Sequence, residues 1–201
     1  LARAQMKHGL VAPEAAAAIA RLCAGFSPDP AKLAAGIARD GMVVPELIRQ
    51  MRAALPEMHR DALHLRSTSQ DAIDTALVLR LRNAIATIST RITEILAGLD
   101  DLDGRCGGIP QMARTRMQRA LPTRAGERIA AWRAPFERHL RRLEELSPRL
   151  LVVQSGGPIG IDPSPWLADL AALLDLGVPP RSWHTARDTL AEFASWLSLL
   201  S

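Results

Sequence analysis

The chain has 201 residues, of which 48% are apolar and 3% aromatic, with no Tyr and a net charge of +4. Such a composition excludes general disorder, and its Ala and Leu favour helices, since a sheet protein of this length would carry more Val, Ile, Thr and Tyr. Lys7 and Lys32 are the only lysines; the many Arg are interleaved with acids and form no basic tail, which argues against a nucleic-acid partner.

Leu1-Ala2-Arg3-Ala4-Gln5 reads as the middle of a helix that ends at Gly9, so the chain is expected to be part of a longer product. Pro13 sits in the first turn of a second helix that ends near Gly25. Ser27-Pro28-Asp29-Pro30 is a turn, followed by helices over about 30–39 and 45–54 separated at Gly41. Cys23 and Cys106 are too few for a disulfide framework or a four-cysteine zinc site and point to a reducing, cytoplasmic setting.

The clearest element starts at Thr68-Ser69-Gln70-Asp71, where Thr68 and Asp71 have capping-box spacing. Ile73, Leu77, Leu81, Ile85, Ile88, Ile92, Ile95 and Leu99 then form one continuous helical stripe. A helix of about 28 residues is roughly 42 Å long. That length spans a compact 200-residue ball, so the seam suggests a helical bundle shared between subunits. A second long helix is expected over about 123–147, with Ile129, Trp132, Phe136, Leu140, Leu143 and Leu146 inside, Pro135 bending it and an ion-paired Arg/Glu face outside.

Residues 150–161 could form a buried strand and a glycine loop, but Gly156, Gly157 and Gly160 do not make the dinucleotide fingerprint. A short helix from Ser164-Pro165 to Gly177 follows, then a spacer at Pro179-Pro180. A last helix over about 184–200 has Leu190, Phe193, Leu197 and Leu200 on its inner face and stops mid-stripe at Ser201. The expected organisation is an N-terminal helical domain over 1–66 and a long-helix bundle over 67–201. No run of about 18 uncharged apolar residues predicts a membrane span. No P-loop, nucleophile elbow or paired-histidine metal motif occurs, so no metal site is expected.

Three clusters could carry chemistry. Thr68 and Ser69 crown a helix N-terminus, where free N–H groups and the dipole favour an anion, although plain capping also explains them. Arg114, Thr115, Arg116, Gln118 and Arg119 could bind carboxylates or form an exposed basic loop. His184 could titrate near neutral pH or be structural, with Arg187 close behind it.

Taken in order, Thr-Ser-Gln-Asp-Ala-Ile-Asp-Thr-Ala-Leu-Val-Leu-Arg-Leu-Arg (68–82), Arg-Thr-Arg-Met-Gln-Arg-Ala-Leu-Pro (114–122), Val-Val-Gln-Ser-Gly-Gly (152–157) and Trp-His-Thr-Ala-Arg-Asp-Thr-Leu-Ala-Glu-Phe-Ala-Ser (183–195) resemble the fumarase/aspartase superfamily, and within it the lactone-forming cycloisomerase branch. The resemblance implies an all-α subunit whose long helices form the core of a homotetramer with active sites shared between chains. It implies cofactor-free chemistry on a small polycarboxylate: a substrate carboxylate adds to a conjugated diene, and the resulting carbanion is protonated.

By the same resemblance Thr115, Arg116 and His184 are catalytic, and Thr68, Ser69, Gln118 and Arg187 bind substrate. Arg116 stands where elimination enzymes of the superfamily often carry His; a guanidinium cannot shuttle protons at neutral pH, so its expected duty is electrostatic. Arg66-Ser67 replaces the family's Gly-Ala. The mobile Gly-Ser-Ser-x-Met-Pro-x-Lys-x-Asn loop, whose serine is implied in proton transfer, does not occur in these residues, and the stretches near 103–110 and 158–166 are short for the family. The alternatives are a fumarate-releasing lyase of the same superfamily and a helical scaffold without activity.

Overall fold

A computed structural model describes residues 1–161 and 164–200. Asp162 and Pro163, within the short stretch near 158–166, lie outside the described residues, as does Ser201. The chain is mostly helical, as composition predicts: α1 (Ala2–Lys7), α2 (Pro13–Gly25), α3 (Pro30–Asp40), α4 (Val44–Ala53), α5 (Ser69–Cys106), α6 (Ala125–Leu150), α7 (Leu167–Leu174) and α8 (Asp188–Leu200). One antiparallel hairpin, β1 (Pro110–Thr115) and β2 (Gln118–Arg124), lies between α5 and α6.

The residues form two compact units, each made from two stretches of chain. The first is Leu1–Leu79 with Leu151–Arg187; the second is Arg80–Leu150 with the final stretch from Asp188. In the first unit, Ala18, Ile19, Met51, Leu55 and Leu63 make one core cluster, and Ala4, Val153, Trp166, Leu170 and Ala171 make another. Local signals set these helices. Asp29 caps α3 by accepting from the N–H groups of Ala31 (2.9 Å) and Lys32 (3.2 Å). Gly41 ends α3 in the left-handed region at φ 73°.

Helix α5 has 38 residues, about 57 Å at 1.5 Å per residue, and so exceeds the length read from its stripe. Val78, Ile85 and Ile92 are buried, whereas Leu77 (38% exposed) and Ile95 (42%) stay open. In α6, which continues through Pro135 and Pro148, the inner face is Ile129, His139, Leu143, Leu146 and Leu150. Trp132, expected inside, is 51% exposed, because the buried face runs through His139 instead.

Three further expectations change. Residues 150–161 form no strand of a sheet; Val152 makes an isolated parallel bridge to Gly177, and Gly157–Ile159 is a 3-10 turn. Helix α7 is shorter than the span from Ser164 to Gly177, ending at Leu174 with Asp175 left-handed (φ 53°). Helix α8 begins at Asp188, so His184 precedes it, and its buried residues are Phe193 and Trp196, while Leu197 is 39% exposed. Trp196 turns inward because its indole N–H reaches the His139 carbonyl (3.2 Å).

Candidate active site

The N-terminus of α5 organises the site in the first unit. Thr68 precedes the helix, and its backbone N–H donates to Asp71 Oδ2 (3.0 Å), the acidic arm of the capping box read from the sequence. Asp71 does much more than cap. Its Oδ1 accepts from the Gly156 N–H (2.9 Å) and Gln154 Nε2 (3.3 Å), and its Oδ2 from the Gly157 N–H (3.3 Å) and the Ser67 hydroxyl (3.4 Å). The carboxylate is buried, at 6% exposure, and its cost of burial is met by these donors.

One turn on, the Thr75 hydroxyl donates to the Gln154 carbonyl (3.1 Å) and accepts from the Gln154 N–H (3.0 Å). The 154–157 segment is thereby fixed to the first turns of α5. Gly156 is required there: a Cβ at that residue would lie 2.6 Å from Ser182 Oγ and 2.8 Å from Gly160 Cα.

A third segment joins at the same place. Gln154 Nε2 donates to Ser182 Oγ (2.8 Å), its Oε1 accepts from the Trp183 N–H (3.0 Å), and the Trp183 indole donates to the Val153 carbonyl (3.0 Å). Arg187 Nη1 donates to Asp74 Oδ2 (2.8 Å), whose side chain is 2% exposed against 44% for Arg187. The guanidinium also lies 5.6 Å from the Trp183 ring centroid, a cation–π contact. His184 packs over Gly160, and its Nδ1 is buried with no hydrogen-bond partner among the described residues.

Of the residues expected from the sequence, Thr68, Ser69, His184 and Arg187 all belong to this unit, on two segments held together through 154–157. Thr115, Arg116 and Gln118 belong to the second unit, on the β1–β2 hairpin. The basic loop expected there is a pair of strands in which Thr115 pairs with Gln118 around a two-residue turn, Arg116-Met117. Both turn residues are left-handed, at φ 47° and 69°, so the tip holds Arg116 in a conformation that non-glycine residues seldom adopt.

Sequence reasoning missed Asp74, Thr75, Gln154 and Ser182. The signal for the first two was available, since 71, 74 and 75 recur at helical spacing on α5 and are all buried polar positions. Gln154 interrupts the apolar run that begins at Leu150, another available signal.

A cavity of about 380 Å³ in the first unit is lined chiefly by apolar side chains such as Ile19, Leu47, Met51 and Leu170. Its polar lining includes Asp71, Thr75 and Gln154, which bond to one another. It does not include Thr68, Ser69, His184 or Arg187, so the polar junction and not this apolar cavity is the candidate site. The chemistry available is anion binding at a helix N-terminus, a fixed guanidinium and an imidazole.

A family model described as "Lyase" matches residues 1–201. The 3-carboxy-cis,cis-muconate cycloisomerase of Pseudomonas aeruginosa is 39% identical over 211 residues, covering 100% of this chain and 46% of that protein. The crystal structure of a fumarate lyase from Mesorhizobium sp. BNC1 superposes with a TM-score of 0.92 at 37% identity, covering 99% of this chain and 48% of that one. The 3-carboxy-cis,cis-muconate lactonizing enzyme from Pseudomonas putida follows with a TM-score of 0.90 at 37% identity, covering 98% and 47%. The chain thus spans about half the length of the relatives it matches.

Proposed function

The chain belongs to the lyase family, and from that membership we propose that the full-length protein is a 3-carboxy-cis,cis-muconate cycloisomerase. It forms 4-carboxymuconolactone without a cofactor, in the cytoplasm, as a step of protocatechuate breakdown through the β-ketoadipate pathway. The observation that carries this reading is 39% identity to such an enzyme along the whole chain. The polar junction at the head of α5 supports it.

In this mechanism a carboxylate oxygen of the substrate attacks the diene, and the C–O bond closes the lactone ring. The electron pair moves to the carbon beside another carboxylate and is then protonated. Charge spreads over a polyanion in the transition state, so fixed donors and cations stabilise it. Thr68 and Ser69, at the head of α5, hold one carboxylate with the help of the helix dipole. Arg187 binds another while Asp74 fixes its orientation. Gln118 contributes a further polar contact, Thr115 and Arg116 face the developing charge, and His184 acts near the reacting carbons. The working form is a homotetramer that brings hairpin and α5 residues of different subunits to each site.

The likeness to a fumarate lyase at a TM-score of 0.92 favours a second reading, elimination that releases fumarate. An assay of the full-length protein separates the two. Loss of the diene absorbance of 3-carboxy-cis,cis-muconate with appearance of the lactone supports the cycloisomerase. Fumarate released from succinylated substrates, without lactone formation, overturns it in favour of the lyase. Neither product, from a folded tetramer, identifies a scaffold.

A further inference from the structure

We propose that Gln154 is a positioning residue for His184, and that its side-chain amide ties the otherwise irregular 182–184 segment to the head of α5. The inference rests on the reading above in one respect only: that His184 serves the reaction.

The segment from Arg181 to Arg187 has no helix or strand to define it. A main-chain hydrogen bond forms a single turn within it, from the Ala186 N–H to the Trp183 carbonyl (3.1 Å). Side-chain tethers therefore set its path. Gln154 supplies two of them at adjacent residues, accepting from the Trp183 N–H (3.0 Å) and donating to Ser182 Oγ (2.8 Å). The next residue in the chain is His184.

Gln154 is itself immobile. It is 1% exposed, both its main-chain polar groups bond to the Thr75 hydroxyl, and its Nε2 also reaches Asp71 Oδ1 (3.3 Å). Position 154 thus needs an acceptor for a backbone N–H and, on the same group, a donor to a hydroxyl and to a carboxylate. A primary amide satisfies both demands. A carboxylate there would face Asp71 with like charge, and an apolar isostere would strand the half-buried Trp183 N–H. Thr68, just before α5, and Ser69, its first residue, lie three and two residues before Asp71. Gln154 therefore fixes the imidazole relative to the head of α5, the kind of placement on which reactive geometry depends.

The test uses Gln154→Met and Gln154→Glu in the full-length protein, with Met51→Ala as a control that loosens the core of the same unit without touching the 182–184 segment. Gln154→Met is expected to lower kcat on the order of 10–100-fold, as misplacement of a reacting group does, with KM within about threefold, the pattern of a lost transition-state interaction. The pH–rate profile changes as well. Gln154→Glu, which keeps the acceptor, regains part of kcat towards acid pH, where one of the two carboxyls takes up a proton and can donate. Nitrogen-15 NMR of the His184 ring moves in both variants and stays unchanged in the control.

Wild-type His184 shifts and an unmoved pH profile in Gln154→Met, with only a lower melting temperature, would overturn the proposal. If the wild-type protein forms no lactone, the functional reading fails, and the NMR comparison alone decides the role of Gln154. Should Gln154→Met not fold, Ser182→Ala, which removes one contact, is judged by the same readouts.

Discussion

At the scale of single residues, a carboxylate with five donors governs the head of α5. Asp71 was legible as a cap from its three-residue spacing to Thr68, because that relation is local. Its bonds to Gly156 and Gly157 span 85 and 86 residues and leave no periodic trace in a sequence. Replacing Asp71 by Ala strands the buried N–H groups of Gly156 and Gly157 together with that of Thr68, at about 1–3 kcal/mol per unmet group before relaxation. The expected loss is roughly 3 kcal/mol of stability, seen as a lower urea midpoint. Asp71→Asn keeps one carbonyl acceptor and loses about half as much. Equal midpoints for Asp71→Ala and wild type would show that the 156–157 segment does not depend on the clamp. Arg187 and His184 were legible as site candidates from their motif, yet Asp74, which holds Arg187, was read only as one residue of the 68–82 run and given no role.

At the scale of elements, helices were readable and the hairpin was not. The stripe on α5 identified its helix, because a 3.6-residue period repeats many times along 38 residues. The tip of the hairpin offers no such cue: Arg116-Met117 takes the place of the Asn-Gly that normally announces a two-residue turn. Left-handed φ costs an L-residue about 1–2 kcal/mol, so Met117→Gly should relieve strain. After the entropy that glycine adds to the unfolded chain, the gain is about 0.5–1 kcal/mol, measurable as a raised melting temperature. A lower melting temperature would show that Met117 contributes packing that outweighs its strain.

The α6–α8 pair carries a pH dependence of its own. His139 is 6% exposed, meets Trp196 edge-on at 6.2 Å, and has no partner at Nδ1 among the described residues. Desolvation first, and then the nearby Arg142 and Arg138, hold its pKa below the ordinary histidine value. The unfolded chain therefore binds more protons than the folded one below about pH 6.5, and stability rises with pH through that window. The contribution is complete above the unfolded value and is lost as pH falls towards the folded one. Melting temperatures measured from pH 8 to 5 should fall more steeply for the wild type than for His139→Gln; parallel curves would exclude His139 as the cause.

At the scale of the whole molecule, the question is what covers the open side of α5. At about 100° per residue, positions 77, 88 and 95 fall on one face, since they are separated by nearly whole turns. Two of the three, Leu77 (38%) and Ile95 (42%), are exposed large apolar residues. This face lies beside the buried line of Val78, Ile85 and Ile92, so α5 has more apolar surface than the described residues cover. The overlong seam was readable in the sequence because apolar periodicity records every buried face, whichever chain buries it. Which chain does so leaves no mark in that pattern. In the proposed tetramer, α5 from neighbouring subunits meets along this face, and Ile88 lies within it. Ile88→Asp places an unpaired carboxylate in that contact, which costs several kcal/mol in each copy. Light scattering on the full-length variant should report dimers or monomers, with far-UV circular dichroism close to wild type and lactone formation lost through the incomplete shared sites. A variant that remains tetrameric would place the subunit contact on another face and leave Leu77 and Ile95 to a different partner.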